Sequence, residues 1–127
     1  MSNKMEFLVE CTKTGYSSYA VKYPIATTGR DLHELKANIV EAVGLYFAES
    51  GRKVTEAEVK LTIDLPQFFE YHKVINVEAL SDRIGMDKTM LQSYINGVRK
   101  PTANQTEKIL KGIQKIGQEL AEISFLF

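Results

Sequence analysis

Along Met5–Thr12 apolar and polar positions alternate: Met5, Phe7, Val9 and Cys11 fall in one phase, Glu6, Leu8 and Glu10 in the other. Successive side chains on a strand point to opposite faces, so this pattern predicts a β-strand buried mainly on one side. Lys13-Thr14-Gly15 has turn chemistry, and the aromatic and β-branched run Tyr16–Tyr23 predicts a second strand with Tyr19, Val21 and Tyr23 in phase. Pro24 interrupts it, and Ile25–Thr28 supplies a short third strand before Gly29. The period then becomes helical. Leu32, Leu35, Ile39, Val43, Tyr46 and Phe47 recur on one face, Asp31 stands at the N-cap position with Glu34 three residues on, and Ser50-Gly51 closes the helix. Alternation returns in Val59, Leu61, Ile63 and Leu65 against Lys60, Thr62 and Asp64. The order β-β-β-α-β predicts an α+β fold with its helix on one face of the sheet.

After Pro66 the strand pattern stops. Pro66 can open a short helix, Asn76 caps a second that Gly85 ends, a third runs over Lys88–Ile95, and Pro101-Thr102 starts a last one reaching about Ser124. Four helices joined by short turns form an all-α domain at a size that can fold. The expected division is therefore 1–65, α+β, and 66–127, all-α.

Composition adds few constraints. With 44% hydrophobic and 25% charged residues the chain is globular in character, and sixteen basic residues balance sixteen acidic ones, so total charge selects no partner. The single Cys11 excludes an internal disulfide framework and suits a reducing compartment. The apolar run near the N-terminus is too short for a signal segment or a membrane span, so a cytoplasmic protein without membrane contact is expected.

Charge is uneven, however. Between 87 and 115 there are six basic residues and two acidic ones, a local excess of +4 in a neutral chain. That excess surrounds two short helices joined by Gly85, Met86 and Asp87, a helix-turn-helix pattern. In such a pattern the start of the second helix meets the major groove of DNA and the flanking turns meet phosphates. Lys88, Thr89, Gln92 and Ser93 are the candidates for base edges; Asn96, Arg99 and Lys100 follow them, the last two best placed for phosphates. The competing reading is a helical docking module with a solvated basic face.

The stretch VEALSDRIGMDKTMLQSYINGVRKPT resembles the lambda-repressor-like (XRE-type) helix-turn-helix family in Leu80, Ile84, Gly85, Met86, Leu91 and the closing NGVRKP. It departs at Ser81, where that family has Ala, and at Val77, where it has a phosphate-contacting Gln. The N-terminal half resembles the HicB family of antitoxins in Gly15-Tyr16, the strand ending at Pro24, Gly29 before an Asp-capped helix, and Ala37-Asn38-Ile39 with Glu41-Ala42. That resemblance implies a partial RNase H-like domain that blocks a small HicA-type mRNA-cleaving toxin, in a protein that represses its own operon. The acidic segment such proteins carry after the proline is only Ile25-Ala26-Thr27-Thr28 here. Glu34, Glu41 and the exposed sheet edge are the candidate toxin contacts, since an RNA-cleaving partner should be basic.

Catalysis is not expected. Two-metal hydrolysis needs carboxylates converging on ions roughly 4 Å apart, and Glu6, Glu10 and Asp64 form no dense cluster. His33 and His72 lack neighbours at ligand or triad spacing, so neither a metal nor another cofactor is expected. The alternative function is a one-component transcriptional regulator sensing a small molecule through its N-terminal half, although no phosphate loop marks a pocket. In the last helix Ile109, Ile113, Ile116, Leu120 and Ile123 step by four and three, a heptad-like seam, with Phe125 and Phe127 beyond it. Ile113, Ile116, Leu120, Ile123 and Phe125 are the candidate interface of a homodimer, or of a tetramer if a sheet edge also pairs.

Overall fold

In the computed structural model, which describes residues 4–126 apart from the side chains of Ser124 and Phe125, the first alternating segment forms β1 (Met5–Thr12). Met5, Phe7, Val9 and Cys11 are its buried residues, as the alternation requires. β2 (Gly15–Ala20) returns antiparallel to β1, and β3 (Ala26–Gly29) pairs antiparallel with β2. Helix α1 (Leu32–Tyr46) then packs on the sheet, and β4 (Val59–Ile63) adds parallel to β1. A parallel pair cannot be joined by a hairpin, and α1 lies in the crossover that this pairing demands. The strand order is β3-β2-β1-β4, with β3 and β4 at the edges. With four further α-helices towards the C-terminus, this makes a mixed α/β chain of one four-stranded sheet and five α-helices among the described residues.

β2 differs from expectation. It stops at Ala20, and its buried residues are Ser18 and Ala20, whereas Tyr19 and Val21 are exposed. The register gives the reason. Ala20 lies opposite Phe7, Ser18 opposite Val9 and Tyr16 opposite Cys11, so the even-numbered positions share the buried face of β1. The fully buried Leu35, Ile39 and Val43 of α1 pack on that face, and small side chains let the helix come close. Bulk is a poor guide to which side faces inward where a helix must approach. Leu32 and Tyr46 of α1 are likewise exposed rather than buried.

At the start of α1, Asp31 Oδ1 accepts the Glu34 N–H at 2.8 Å. The Glu34 carboxylate turns instead to Arg30 Nε at 2.9 Å, so the reciprocal half of a capping box is not made. Phe47 ends the helix, a short 3-10 turn follows over Ala48–Ser50, and Gly51 adopts φ +74°.

Two compact units divide the chain, Met1–Tyr71 and His72–Phe127. The boundary thus follows Tyr71 and not residue 65, because α2 (Leu65–Tyr71) belongs with the sheet. Gln67 explains why. β4 pairs with β1 only as far as Ile63 opposite Val9, which leaves the backbone of Cys11 without a strand partner on that side. The Gln67 carboxamide fills the place: its Oε1 accepts the Cys11 N–H at 2.8 Å and its Nε2 donates to the Cys11 carbonyl at 2.9 Å. The Tyr71 hydroxyl donates to the Thr12 carbonyl, and Leu65 and Phe69 are buried. Gln67→Ala should leave two partly buried backbone groups unpaired and cost about 2 kcal/mol. Urea unfolding checks this; an unchanged midpoint means that water replaces the carboxamide without loss.

The four helices expected from Pro66 onward are present, but α2 falls in the first unit, and the second holds α3 (Val77–Ile84), α4 (Lys88–Ile95) and α5 (Ala103–Glu122). Each N-cap side chain accepts an N–H three residues on: Asn76 from Ala79, Asp87 from Met90, and Thr102 from Gln105. Each such cap stabilises a helix by about 1 kcal/mol. Leu80, Met86, Leu91, Tyr94 and Ile109 are the buried apolar side chains. Ser81 is buried among them without penalty, its hydroxyl donating to the Glu78 carbonyl at 2.7 Å. An ion pair between Arg83 and Glu119 ties α3 to α5.

Candidate nucleic-acid interface

The turn between α3 and α4 follows from three residues. Gly85 takes the left-handed conformation, φ 67°, that ends α3; Met86 drops into the core; Asp87 caps α4. The chain therefore re-enters a helix within one turn. This leaves Lys88 and Thr89 exposed at the head of α4, with Gln92, Ser93 and Asn96 following on the same side.

Those five residues line one open groove of about 500 Å³, together with Val98. Five of the seven residues singled out in the sequence are thereby brought together. Val98, 79% exposed, is the groove residue that the sequence reading missed. Ser93 is less free than its neighbours, because its hydroxyl donates to the Met90 carbonyl at 2.6 Å. Among the described residues Gln92 has one bond, a long one of 3.4 Å, from Nε2 to Asn96 Oδ1. Beyond the groove, Gly97 (φ 75°) lets the chain fold back, so that the Val98 and Arg99 N–H groups both bond to the Ser93 carbonyl. Arg99 and Lys100 are exposed just after that turn.

Internal pairing reduces the local positive charge only weakly. Lys88 lies 3.3 Å from Glu78, and Lys111 lies 2.8 Å from Glu107, which raises the Lys111 pKa and lowers that of Glu107. Both pairs are solvent-exposed, and such pairs open at little cost. Arg99, Lys100 and Lys115 make no ion pair among the described residues. These three cations therefore keep their charge for an anionic partner.

The other candidates lie elsewhere. Glu34 is half-buried and engaged by Arg30, while Glu41 is exposed with Leu45, 73% exposed, one turn further along the same face. In the seam of α5, Ile109 belongs to the core, Ile113 and Ile116 are half-buried, and Leu120 and Ile123 are 61% and 43% exposed. The side chains of Phe125 and Phe127 lie outside the described residues. Glu6 accepts the Thr62 hydroxyl at 2.6 Å, and Asp64 accepts the Gln67 N–H at 3.2 Å. Burial raises the Cys11 thiol pKa, and His33 is exposed. No group of three or more His, Cys, Asp or Glu that could hold a metal occurs among the described residues. No helix among them is long and apolar enough to cross a membrane.

Comparison of the chain with family models, curated proteins and solved structures gives no match.

Proposed function

We propose that the chain is a DNA-binding repressor whose first unit captures a second protein, and more narrowly that it is the antitoxin of a type II toxin–antitoxin pair. The second unit is then a helix-turn-helix domain and reads operator DNA with α4. The observation that carries this is the groove shared by Lys88, Thr89, Gln92, Ser93 and Asn96, followed by the unpaired cations Arg99 and Lys100. Donor-rich polar side chains at the head of a helix suit base edges, and cations in the turn after it suit phosphates. Val98 adds an apolar contact of the kind a thymine methyl accepts.

The first unit then corresponds to the partial RNase H-like domain of the HicB family and blocks a HicA-type mRNA-cleaving toxin. Its antiparallel β1-β2-β3 with β4 parallel to β1 supports that reading, as does the sequence around Gly29 and α1. A basic toxin would meet Glu41 and the exposed Leu45, with Glu34 released from Arg30. In this reading the chain carries no reaction of its own. Co-expression with the adjacent open reading frame tests it. The expected result is a toxic, basic product that co-purifies with the chain and is silenced by it. A neighbour that neither binds nor arrests growth removes the antitoxin assignment.

Two copies of the chain pair through the C-terminal end of α5 and the turn that follows it, where Leu120 and Ile123 leave apolar surface in water. A dimer of this kind fits two half-sites on a palindromic operator. Leu120→Glu should place a charge in that seam and raise the dimer dissociation constant at least tenfold, about 1.4 kcal/mol. Light scattering over a dilution series reads it, and a native chain that is monomeric at micromolar concentration sinks the assembly.

A further inference from the structure

The first unit contains a second groove, lined by none of the residues assigned to DNA, toxin or partner copy above. It has a volume of about 320 Å³ and lies where the start of β1, the bend after β2 and the loop after α1 meet. Lys4, Lys22 and Arg52 bring three cations to its walls, and Glu6 is the one acid there. The Glu6 carboxylate is taken up by the Thr62 hydroxyl, and none of the three cations makes an ion pair among the described residues. The groove therefore keeps a local excess of positive charge inside a neutral chain.

Arg52 is also held in place. Its guanidinium carbon sits 4.8 Å above the centre of the Phe47 ring, and Nη1 lies 3.5 Å from the Tyr23 hydroxyl. Phe47 in turn packs edge-on against Tyr23 at 5.3 Å and Tyr46 at 4.8 Å. A stacked guanidinium has lost much of its side-chain freedom before any ligand arrives, so binding costs less entropy. Tyr23 and Val21 give the same groove an aromatic and an apolar wall beside the cations.

We propose that this groove binds a small phosphomonoester that carries a flat ring, a ligand of nucleoside monophosphate size. Three cations against one engaged carboxylate match a dianion, and a planar guanidinium matches phosphate geometry. The aromatic wall accommodates the ring. The volume lies at the small end of the range for ligand cavities, roughly 300–1,000 Å³, which suits one nucleotide and not two. The site is independent of the operator and toxin assignments, because it uses none of their residues.

Calorimetric titration of the full chain tests it. The probes are AMP and UMP, with adenosine, inorganic phosphate and a 5′-phosphorylated dinucleotide as further arms. The monophosphates should bind saturably, with adenosine and inorganic phosphate each at least about tenfold weaker. Lys22→Gln and Arg52→Gln should each weaken monophosphate binding about tenfold, the loss of one charge-assisted hydrogen bond, with the melting temperature unchanged for Lys22→Gln. A dinucleotide that binds as tightly as AMP assigns the phosphate to an RNA end, and its rejection assigns it to a free nucleotide. Absence of saturable binding, phosphate binding as tight as AMP, or AMP binding indifferent to Lys22→Gln overturns the proposal.

Discussion

Gly29→Ala should unfold the first unit or come close to it. A Cβ at position 29 would lie 2.5 Å from the Leu35 nitrogen and 2.6 Å from its Cα. Both are backbone atoms of α1, which cannot step aside as a flexible side chain can. Leu35 is fully buried, and Asn38 Nδ2 donates to the Thr28 carbonyl at 2.7 Å, so helix and strand are fastened at this point. Gly15, next to the Tyr16 that pairs with Gly29, is equally tight: its own Cβ would lie 2.3 Å from the Gly29 carbonyl oxygen. Relief requires lifting α1, which would withdraw Leu35, Ile39 and Val43 from the sheet. Overpacking costs about 1–3 kcal/mol where side chains can adjust, and more where only backbone can move. A loss of at least about 3 kcal/mol is a large share of a typical domain's stability. Gly44→Ala is the control. It lies in the same helix with nothing within 4 Å of its would-be Cβ, so the change should be neutral or stabilise by up to about 1 kcal/mol. Thermal melts of the two variants decide the matter, and equal stability would mean that the close approach at Gly29 is relieved cheaply.

Much of this fold was legible in the sequence where one rule acted alone. β1 and the phase of β4 follow from simple alternation, since each strand has one face turned to the core. The helix starts were legible because Asp31, Asn76, Asp87 and Thr102 are capping residue types at capping positions, and all four accept the expected N–H. β2 was misread because its inward residues are the small Ser18 and Ala20, chosen by the nearness of α1, which no local pattern displays. The boundary was misread at Pro66 because the role of Gln67 depends on where β4 stops pairing with β1. The same division holds for the sites. The α4 groove was visible because Lys88, Thr89, Gln92, Ser93 and Asn96 are spaced for one helix face. The groove at Lys4, Lys22 and Arg52 was not, because three separate segments supply it.

Two kinds of variant in the second unit should separate base reading from phosphate attraction. Among the described residues Gln92 makes one long bond, 3.4 Å, to Asn96, so its carboxamide is available to a base edge at small cost. A good base contact supplies about 1–3 kcal/mol of discrimination, so Gln92→Ala should lower operator affinity by that amount and leave random DNA nearly untouched. Arg99 and Lys100 are exposed and make no ion pair among the described residues, so each can neutralise a phosphate. Changing both to Ala should weaken operator and random DNA alike. The slope of log affinity against log salt should fall by roughly two units per subunit, or about four for a bound dimer. Arg99 and Lys100 are exposed and Gln92 is half-buried, none of them among the buried side chains, so the melting temperature should hold for all three positions. The measurement is operator and random-DNA affinity across a salt series from about 50 to 200 mM, the range in which counterion release is read most clearly. If Gln92→Ala weakens both DNAs equally, α4 meets phosphate and not bases. If the Arg99/Lys100 variant also leaves the slope unchanged, the basic face is a solvated surface and the second unit serves pairing alone.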